Sequence, residues 1–228
     1  MRYYFSRVRL RRRFEMSAED RSWLRKFSQR GEAQLDHALV WRLFSGDSVA
    51  RDFIFRREAP LSGASKAALS YLVVSERRPE ESSIFTVETK PYAPRIAADE
   101  CLRFDLRANP VVSRRAGERM QRHDVLMDAR KQCADLAERT DRMYAAALAW
   151  LMKRAPLWGL DVRPETVLMD GYRQLRLPGK GDQASFSELD YRGQATVADP
   201  ELLLRALTKG VGHARSYGCG LLLVKRAE

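Results

Sequence analysis

The chain has 228 residues, enough for one large domain or two small ones, and its 45% hydrophobic content excludes a disordered protein. Lys and Arg outnumber Asp and Glu by 41 to 30, so a polyanion is the expected class of partner. No apolar stretch approaches the roughly 18 residues that span a bilayer, which indicates no membrane partner. The three cysteines are widely spaced and the histidines lack ligand spacing. We therefore expect a cytoplasmic protein without a metal site or a small-molecule cofactor.

In chain order, the first half is predicted to form a domain over residues 1–95. Ser17, followed by Asp20, resembles a capping box and indicates the start of a helix. A second helix is predicted over residues 32–44, ended by Ser45, Gly46 and Asp47. Alternating and β-branched runs predict the strands. These strands span residues 2–10, 51–57, 68–75 and 84–90.

The second half, residues 96–228, repeats the pattern more clearly. Residues 101–108 alternate apolar and charged side chains, as a half-buried strand does. Asp199 before Pro200 predicts a helix start, and that helix ends at Gly210. The remaining predicted elements are a helix over 133–154, strands over 166–177 and 185–197 around a hairpin tip at 178–182, and a terminal strand. The resulting β-α-β-β-α-β order predicts an α+β protein of two tandem ferredoxin-like (RRM-like) domains.

A glycine-rich segment precedes the terminal strand. Its four glycines leave backbone amides uncovered and allow positive φ, so it can approach a ligand closely. The segment carries Arg215, and in a basic protein the expected ligand is a phosphate backbone. A plain turn is the alternative interpretation. The glycines are Gly210, Gly212, Gly218 and Gly220.

The helix over 32–44 presents a second face opposite its leucine stripe. That face carries Arg30, Gln34, His37, Trp41 and Phe44 at spacings of three and four. Imidazole has an unperturbed pKa of about 6.5, so His37 is a candidate general acid or base. A partly exposed structural histidine is the alternative. Arg42, five residues further on, can reach a phosphate from the helix edge.

A basic stretch over residues 114–131 is the third candidate feature. If it were helical, Arg115, Arg119 and Arg122 would line one wall of a groove. His123 within it is interpreted as an RNA contact, whereas a solvated face is the alternative for the whole cluster. His213, in the glycine-rich segment, is interpreted as filling space. The predicted RNA-binding set of the stretch is Arg114, Arg115, Arg119, Arg122, His123, Arg130 and Lys131.

Four segments together resemble the CasE family, the CRISPR RNA endoribonucleases of the type I-E Cascade complex within the repeat-associated mysterious protein superfamily. They are residues 35–44, 50–55, 102–110 and 210–220, in family order across the whole chain. The resemblance implies tandem ferredoxin-like domains that bind the stem-loop of CRISPR repeat RNA and cut at its 3′ base. It also implies other Cascade subunits as partners.

The implied reaction needs no metal. The ribose 2′-hydroxyl attacks the adjacent phosphorus, which gives a 2′,3′-cyclic phosphate (or 3′-phosphate) and a 5′-hydroxyl, and the product stays bound. The family's catalytic histidine corresponds to His37, and Arg42 to a stabiliser of the phosphorane. Gln34 stands where the family often has tyrosine and can hydrogen-bond the scissile phosphate. The resemblance also implies that Lys180 and the glycine-rich segment, with Arg215, grip the RNA.

Two alternatives remain at this point. A binding subunit of the same fold would clasp an RNA hairpin without cutting it; Gln34 in place of tyrosine keeps that alternative open, and the retained His37 argues against it. An RRM-type single-strand binder would need exposed aromatic residues on a central strand, where residues 102–108 offer Arg and Asp instead.

Overall fold

The computed structural model describes residues 2–44, 50–58, 69–117, 119–178 and 184–227. The predicted helix end at 45–47, most of the hairpin tip at 178–182, and Lys180 within it lie outside the described residues. The described part forms an antiparallel sheet in each half of the chain, which confirms the α+β fold class. None of its helices is long and apolar enough to cross a membrane.

The first half forms a four-stranded antiparallel sheet in the order β2-β3-β1-β4. This is the strand order of a ferredoxin-like unit, but the connection from β3 to β4, described throughout, contains no helix. Ser17 caps α1 as predicted, because its Oγ accepts a hydrogen bond from the Asp20 amide at 3.0 Å. The elements are β1 (Tyr3–Leu10), α1 (Ala18–Ser28), α2 (Glu32–Trp41), β2 (Phe53–Arg57), β3 (Ser70–Ser75) and β4 (Phe85–Tyr92).

The second half contains the predicted β-α-β-β-α-β order with additions. Its sheet runs β11-β5-β10-β8, and β9 also pairs with β10. Asp199 caps α5 with two hydrogen bonds from backbone amides, as predicted. The elements are β5 (Cys101–Ala108), β6 (Val111–Ala116), β7 (Arg119–Asp124), α3 (Val125–Gln132), α4 (Arg139–Arg154), β8 (Leu160–Val162), β9 (Leu168–Arg176), β10 (Ser185–Val197), α5 (Pro200–Lys209) and β11 (Leu222–Arg226).

The helix considered for the basic stretch is not formed over residues 111–116 and 119–124, which pair as the β6–β7 hairpin. The β-branched pair Val111 and Val112 favours a strand, and Gly117 adopts φ +61° in the two-residue loop. A helix starts only after Asp124, whose carboxylate accepts hydrogen bonds from the amides of residues 126 and 127. The strands therefore do not produce the alignment that a helix would give to arginines at i, i+4 and i+7.

Each sheet covers its own hydrophobic core, and the two halves meet at a third cluster. Ile54 and Val74 of the first sheet pack there against Leu221, just before β11. A charged layer lies beside it, in which Arg56 pairs with Asp105 at 2.5 Å and with Asp190 at 3.5 Å. The interface therefore combines apolar burial with ion pairs, and it fixes the glycine-rich segment against β2.

Candidate active site

His37 lies where the two halves meet. The buried residues Ala33, Leu39 and Val40 fix the inward face of α2 and leave the His37 ring half-buried at a cleft of about 630 Å³. A cleft of that volume is in the range of small-ligand sites. Its walls come from the end of α1, from α2, from the loop that follows β9 and from the glycine-rich segment. They are lined by Phe27, Gln29, Arg30, Gln34, His37, Ala38, Pro178 and Tyr217.

The predicted second face of α2 is only partly realised. Arg30, Gln34 and His37 line the cleft together. Trp41 lies edge-on to the His37 ring, with centroids 6.2 Å apart, and also packs edge-on against Phe53 at 5.0 Å. Phe44 is buried and stacks on the Phe53 ring. Helical spacing therefore grouped Gln34, His37 and Trp41 correctly, whereas Arg30 precedes α2 and Phe44 belongs to the core of the first half.

The ring of His37 is oriented by the glycine-rich segment. Its Nδ1 lies 2.8 Å from the carbonyl oxygen of Ser216. A carbonyl only accepts hydrogen bonds, so Nδ1 carries the proton and donates it. Proton uptake by the neutral ring is thereby assigned to Nε2. A base held in one tautomer by a second group is the arrangement required for general acid–base catalysis.

Two arginines lie beside this pair. Arg51, just before β2, donates from Nη1 to the hydroxyl of Ser216 at 2.6 Å. Burial, followed by repulsion from Arg215, lowers the pKa of Arg51. Arg215 donates to the carbonyl of Lys209 at 2.9 Å. The sequence did not single out Arg51, because its partner is 165 residues away.

Tyr217 joins the His37 cleft to a second one. Its ring centroid is 5.8 Å from that of His37, and it stacks on Phe186 at 5.3 Å. The second cleft, of about 300 Å³, is lined by Tyr217, Phe186, His213 and Arg122 among others. Burial and the charges of Arg122, Arg154 and Arg215 lower the pKa of His213. His213 therefore lies near the charges of three arginines.

Gln34 and Arg42, the other two predicted catalytic residues, have partners within the protein. Gln34 donates from Nε2 to the carbonyl of Pro178 at 2.7 Å, which ties α2 to the loop that follows β9. Arg42 donates to Asp20 at 2.9 Å and stacks on the ring of Trp23 at 4.6 Å. Gln34 lines the His37 cleft, whereas Arg42 and Arg51 lie outside its lining. Their catalytic roles stay predictions.

The four glycines all adopt positive φ, as the sequence indicated. A Cβ on Gly210 would lie 1.7 Å from the Ile54 side chain, and one on Gly220 would lie 2.1 Å from the Val211 carbonyl oxygen. The amides of these two glycines donate to the carbonyls of Ala206 and Arg107. Gly210 and Gly220 thus hold the segment in shape. Contact of any of the four with RNA stays a prediction.

The predicted RNA-binding residues of the basic stretch are divided between two regions. Arg122 lines the second cleft, and strand register places Arg115 on the same face of the β6–β7 hairpin. Arg114 pairs with Asp128 at 2.6 Å on the side of α3, and His123 lies 4.0 Å from the same carboxylate. Arg130 and Lys131 are exposed near the end of α3. For Arg119 the structure describes only the backbone, which pairs with Ala116.

The fold and site define a protein of two ferredoxin-like halves with a histidine in a cleft at their junction and arginines beside it. The sequence profile of the CRISPR associated protein family matches residues 3–226, and the chain belongs to that family.

Two relatives and one solved structure illustrate the similarity. The CRISPR system Cascade subunit CasE of Escherichia coli (strain K12) is 27% identical over 188 residues, which cover 82% of this chain and 88% of that protein. The CRISPR-associated endoribonuclease Cse3 of Thermus thermophilus is 28% identical over 146 residues, 59% of this chain and 60% of that protein. The crystal structure of Cas6e from Escherichia coli K-12 has a TM-score of 0.64 at 24% identity, covering 98% of this chain and all of that one, and so shows the same fold.

Proposed function

We propose that this chain is a metal-independent endoribonuclease that binds the stem-loop of CRISPR repeat RNA, cuts at its 3′ base and keeps the product. The observation that carries the proposal is the 2.8 Å hydrogen bond from His37 Nδ1 to the Ser216 carbonyl. It gives the protein one oriented imidazole in a cleft lined by Arg30, with Arg51 on the other side of Ser216. Family membership and the names of the two relatives support the substrate and the reaction.

In the proposed reaction, Nε2 of His37 takes the proton of the ribose 2′-hydroxyl. The 2′-oxygen forms a bond to the adjacent phosphorus, and the bond from phosphorus to the 5′-oxygen breaks. The proton then passes from the imidazolium to the leaving 5′-oxygen, which restores the neutral ring. The products are a 2′,3′-cyclic phosphate and a 5′-hydroxyl. General acid–base help of this kind contributes about 10²–10⁴-fold to the rate.

The two joined clefts suit an RNA hairpin. A-form RNA hides its base edges in a deep, narrow major groove, so a stem is held mainly through phosphates and shape. Arg122 lines the second cleft and Arg115 shares its face of the β6–β7 hairpin, while Arg215 lies near the first. The stem is proposed to follow this basic track toward His37. Lys180, Arg119, Arg130 and Lys131 are proposed to add phosphate contacts.

After cleavage the chain is proposed to remain on the hairpin end of the guide RNA, beside the other type I-E Cascade subunits in the cytoplasm. The similarity to a Cascade subunit over most of both chains supports this assembly. A retained product also requires a grip that does not depend on the scissile bond, which the basic residues outside the His37 cleft provide.

The test compares wild type with His37→Ala on labelled repeat RNA in EDTA. We expect wild type to cut once, at the 3′ base of the stem, and His37→Ala to lose cleavage while its hairpin affinity is retained. The matched histidine control is His123→Ala, outside the His37 cleft, which should cut at the wild-type rate when protein saturates the RNA, because a predicted RNA contact affects affinity and not the chemical step. Cleavage by His37→Ala at the wild-type rate would remove the catalytic assignment. Binding by wild type without cleavage would leave only the function of a hairpin-binding subunit.

A further inference from the structure

Arg51 contrasts with three partly buried arginines that pair with carboxylates. Arg56, Arg77 and Arg107 each lie within 3.0 Å of a carboxylate: Arg56 with Asp105 at 2.5 Å, Arg77 with Asp52 at 2.7 Å, and Arg107 with Asp190 at 2.8 Å. Among the same residues Arg51 forms no such ion pair, and its hydrogen-bond partner is the neutral hydroxyl of Ser216.

The positive charge of Arg215 adds to the cost of burying the Arg51 guanidinium. Arg215 lies close enough to depress its pKa further, after burial has done so. In Arg77 and Arg107 the neighbouring carboxylates have the opposite effect and raise the pKa. Burying a cation without a counter-charge costs free energy, and an anion bound between two such cations recovers it. The site is therefore built for an anion that the protein does not itself supply.

The position of that anion follows from Ser216. Its carbonyl oxygen accepts from His37 at 2.8 Å and its hydroxyl accepts from Arg51 at 2.6 Å. The imidazole and the guanidinium are thus held by two atoms of one residue. A group that contacts both would place an anionic oxygen on Arg51 while a neighbouring hydroxyl reaches His37, which is the arrangement of a phosphodiester and its 2′-hydroxyl.

We propose that Arg51 is a catalytic residue that binds the non-bridging oxygens of the scissile phosphate and compensates the negative charge they gain as the 2′-oxygen attacks. This inference rests on the proposed endoribonuclease function. The phosphodiester has one negative charge, and the pentacovalent phosphorane formed after proton loss has two. A planar guanidinium donates to two oxygens at once, and it binds the doubly charged state more tightly than the ground state. Ser216 holds the Arg51 guanidinium and the His37 imidazole in a fixed relation, since it binds both.

The experiment measures single-turnover cleavage and, separately, affinity for an RNA with a 2′-deoxy nucleotide at the scissile position, which cannot react. We expect Arg51→Gln to cut about 10²–10³-fold more slowly, the loss typical of one transition-state donor, with affinity changed by less than about tenfold. Arg51→Lys should recover part of the rate. Guanidinium ion at millimolar concentration should raise the rate of Arg51→Ala and leave wild type unchanged.

The matched control is Arg142→Gln, which removes the same charge from an exposed side chain paired with Glu138, and should cut normally. Arg42→Gln decides between the two candidate arginines, and a larger loss of rate there than in Arg51→Gln would overturn the proposal. Cleavage by Arg51→Gln at the wild-type rate would also overturn it, as would a loss of affinity and thermal stability without guanidinium rescue. If wild type cuts and His37→Ala does not, such a result removes Arg51 alone and leaves the endoribonuclease function standing.

Discussion

Replacing Gly220 by alanine tests whether the glycine-rich segment holds the site together. Gly220 has φ +85°, a region that costs an L-residue about 1–2 kcal/mol. The added Cβ would lie 2.1 Å from the carbonyl oxygen of Val211, a backbone atom that cannot rotate away. Relieving such an overlap by shifting backbone costs typically about 1–3 kcal/mol. We therefore expect Gly220→Ala to lower the free energy of unfolding by about 2–5 kcal/mol.

Gly212 is the matched control in the same segment. It also has positive φ, at +67°, but a Cβ there would meet no atom within 4 Å. Gly212→Ala should therefore lose only the conformational cost of about 1–2 kcal/mol. The difference between the two variants isolates the contact of residue 220 with Val211.

Urea denaturation followed by circular dichroism gives both free energies, provided that the slope against denaturant is unchanged. The cleavage rate should fall more in Gly220→Ala than in Gly212→Ala, because a displaced segment moves the Ser216 carbonyl away from His37. The β6–β7 hairpin should keep its shape in both variants. Equal stability losses in the two variants would refute the reasoning. A Gly220→Ala protein as stable and active as wild type would refute it more strongly.

Two further predictions concern charge. Burial alone would raise the pKa of Asp190, but the hydrogen bonds and charges of Arg107, with Arg56 and Arg192, outweigh burial and lower it. A lowered folded-state pKa contributes stability above the unfolded value of about 3.9, and that stability is lost as pH falls toward the folded value. Asp190→Asn should thus lower the free energy of unfolding by about 3 kcal/mol at pH 7. In thermal melts, the difference in melting temperature from wild type should shrink below about pH 4. A difference that does not depend on pH would contradict this reasoning. Replacing Arg115 and Arg122 together by glutamine should weaken hairpin RNA binding and reduce the slope of log K against log salt by about 1.5. Arg114→Gln should have a smaller effect, because the Arg114 side chain pairs with Asp128. An unchanged slope in the double variant would remove Arg115 and Arg122 from the RNA interface.

The parts of the fold that the sequence predicted well have local causes. The alternation over residues 101–108 matches β5, and the Asp199–Pro200 pair marks the start of α5, because both signals act within a few residues. For the basic stretch, only a helix was weighed from the sequence, and the β6–β7 hairpin was not anticipated. Arginine is compatible with helix and strand alike, so its spacing carries little information, and the decisive signals were Gly117 in the loop and Asp124 at the helix start.

The site was predicted less completely, since its geometry is non-local. His37 was found because it lies on a helix face with other polar residues. Arg42 follows five residues later, which on an α-helix is a rotation of about 140° from His37, and α2 already ends at Trp41. Its side chain accordingly reaches Asp20 on α1. The partner of both His37 and Arg51 is Ser216, 179 and 165 residues away, and no spacing pattern connects such positions.

The junction between the halves assembles the proposed site. Arg51 stands two residues before β2, and the side chains of Ile54 and Phe55 on that strand lie against Gly210 and Gly218 of the glycine-rich segment. The same segment carries Ser216, which holds the His37 ring on α2. The proposed base, the proposed cation and the residue that aligns them thus come from three segments fixed by one packed contact, so little reorganisation would be needed when a phosphate enters. Neither half contains this arrangement alone, because the first supplies His37 and Arg51 and the second supplies the Ser216 atoms that bind them.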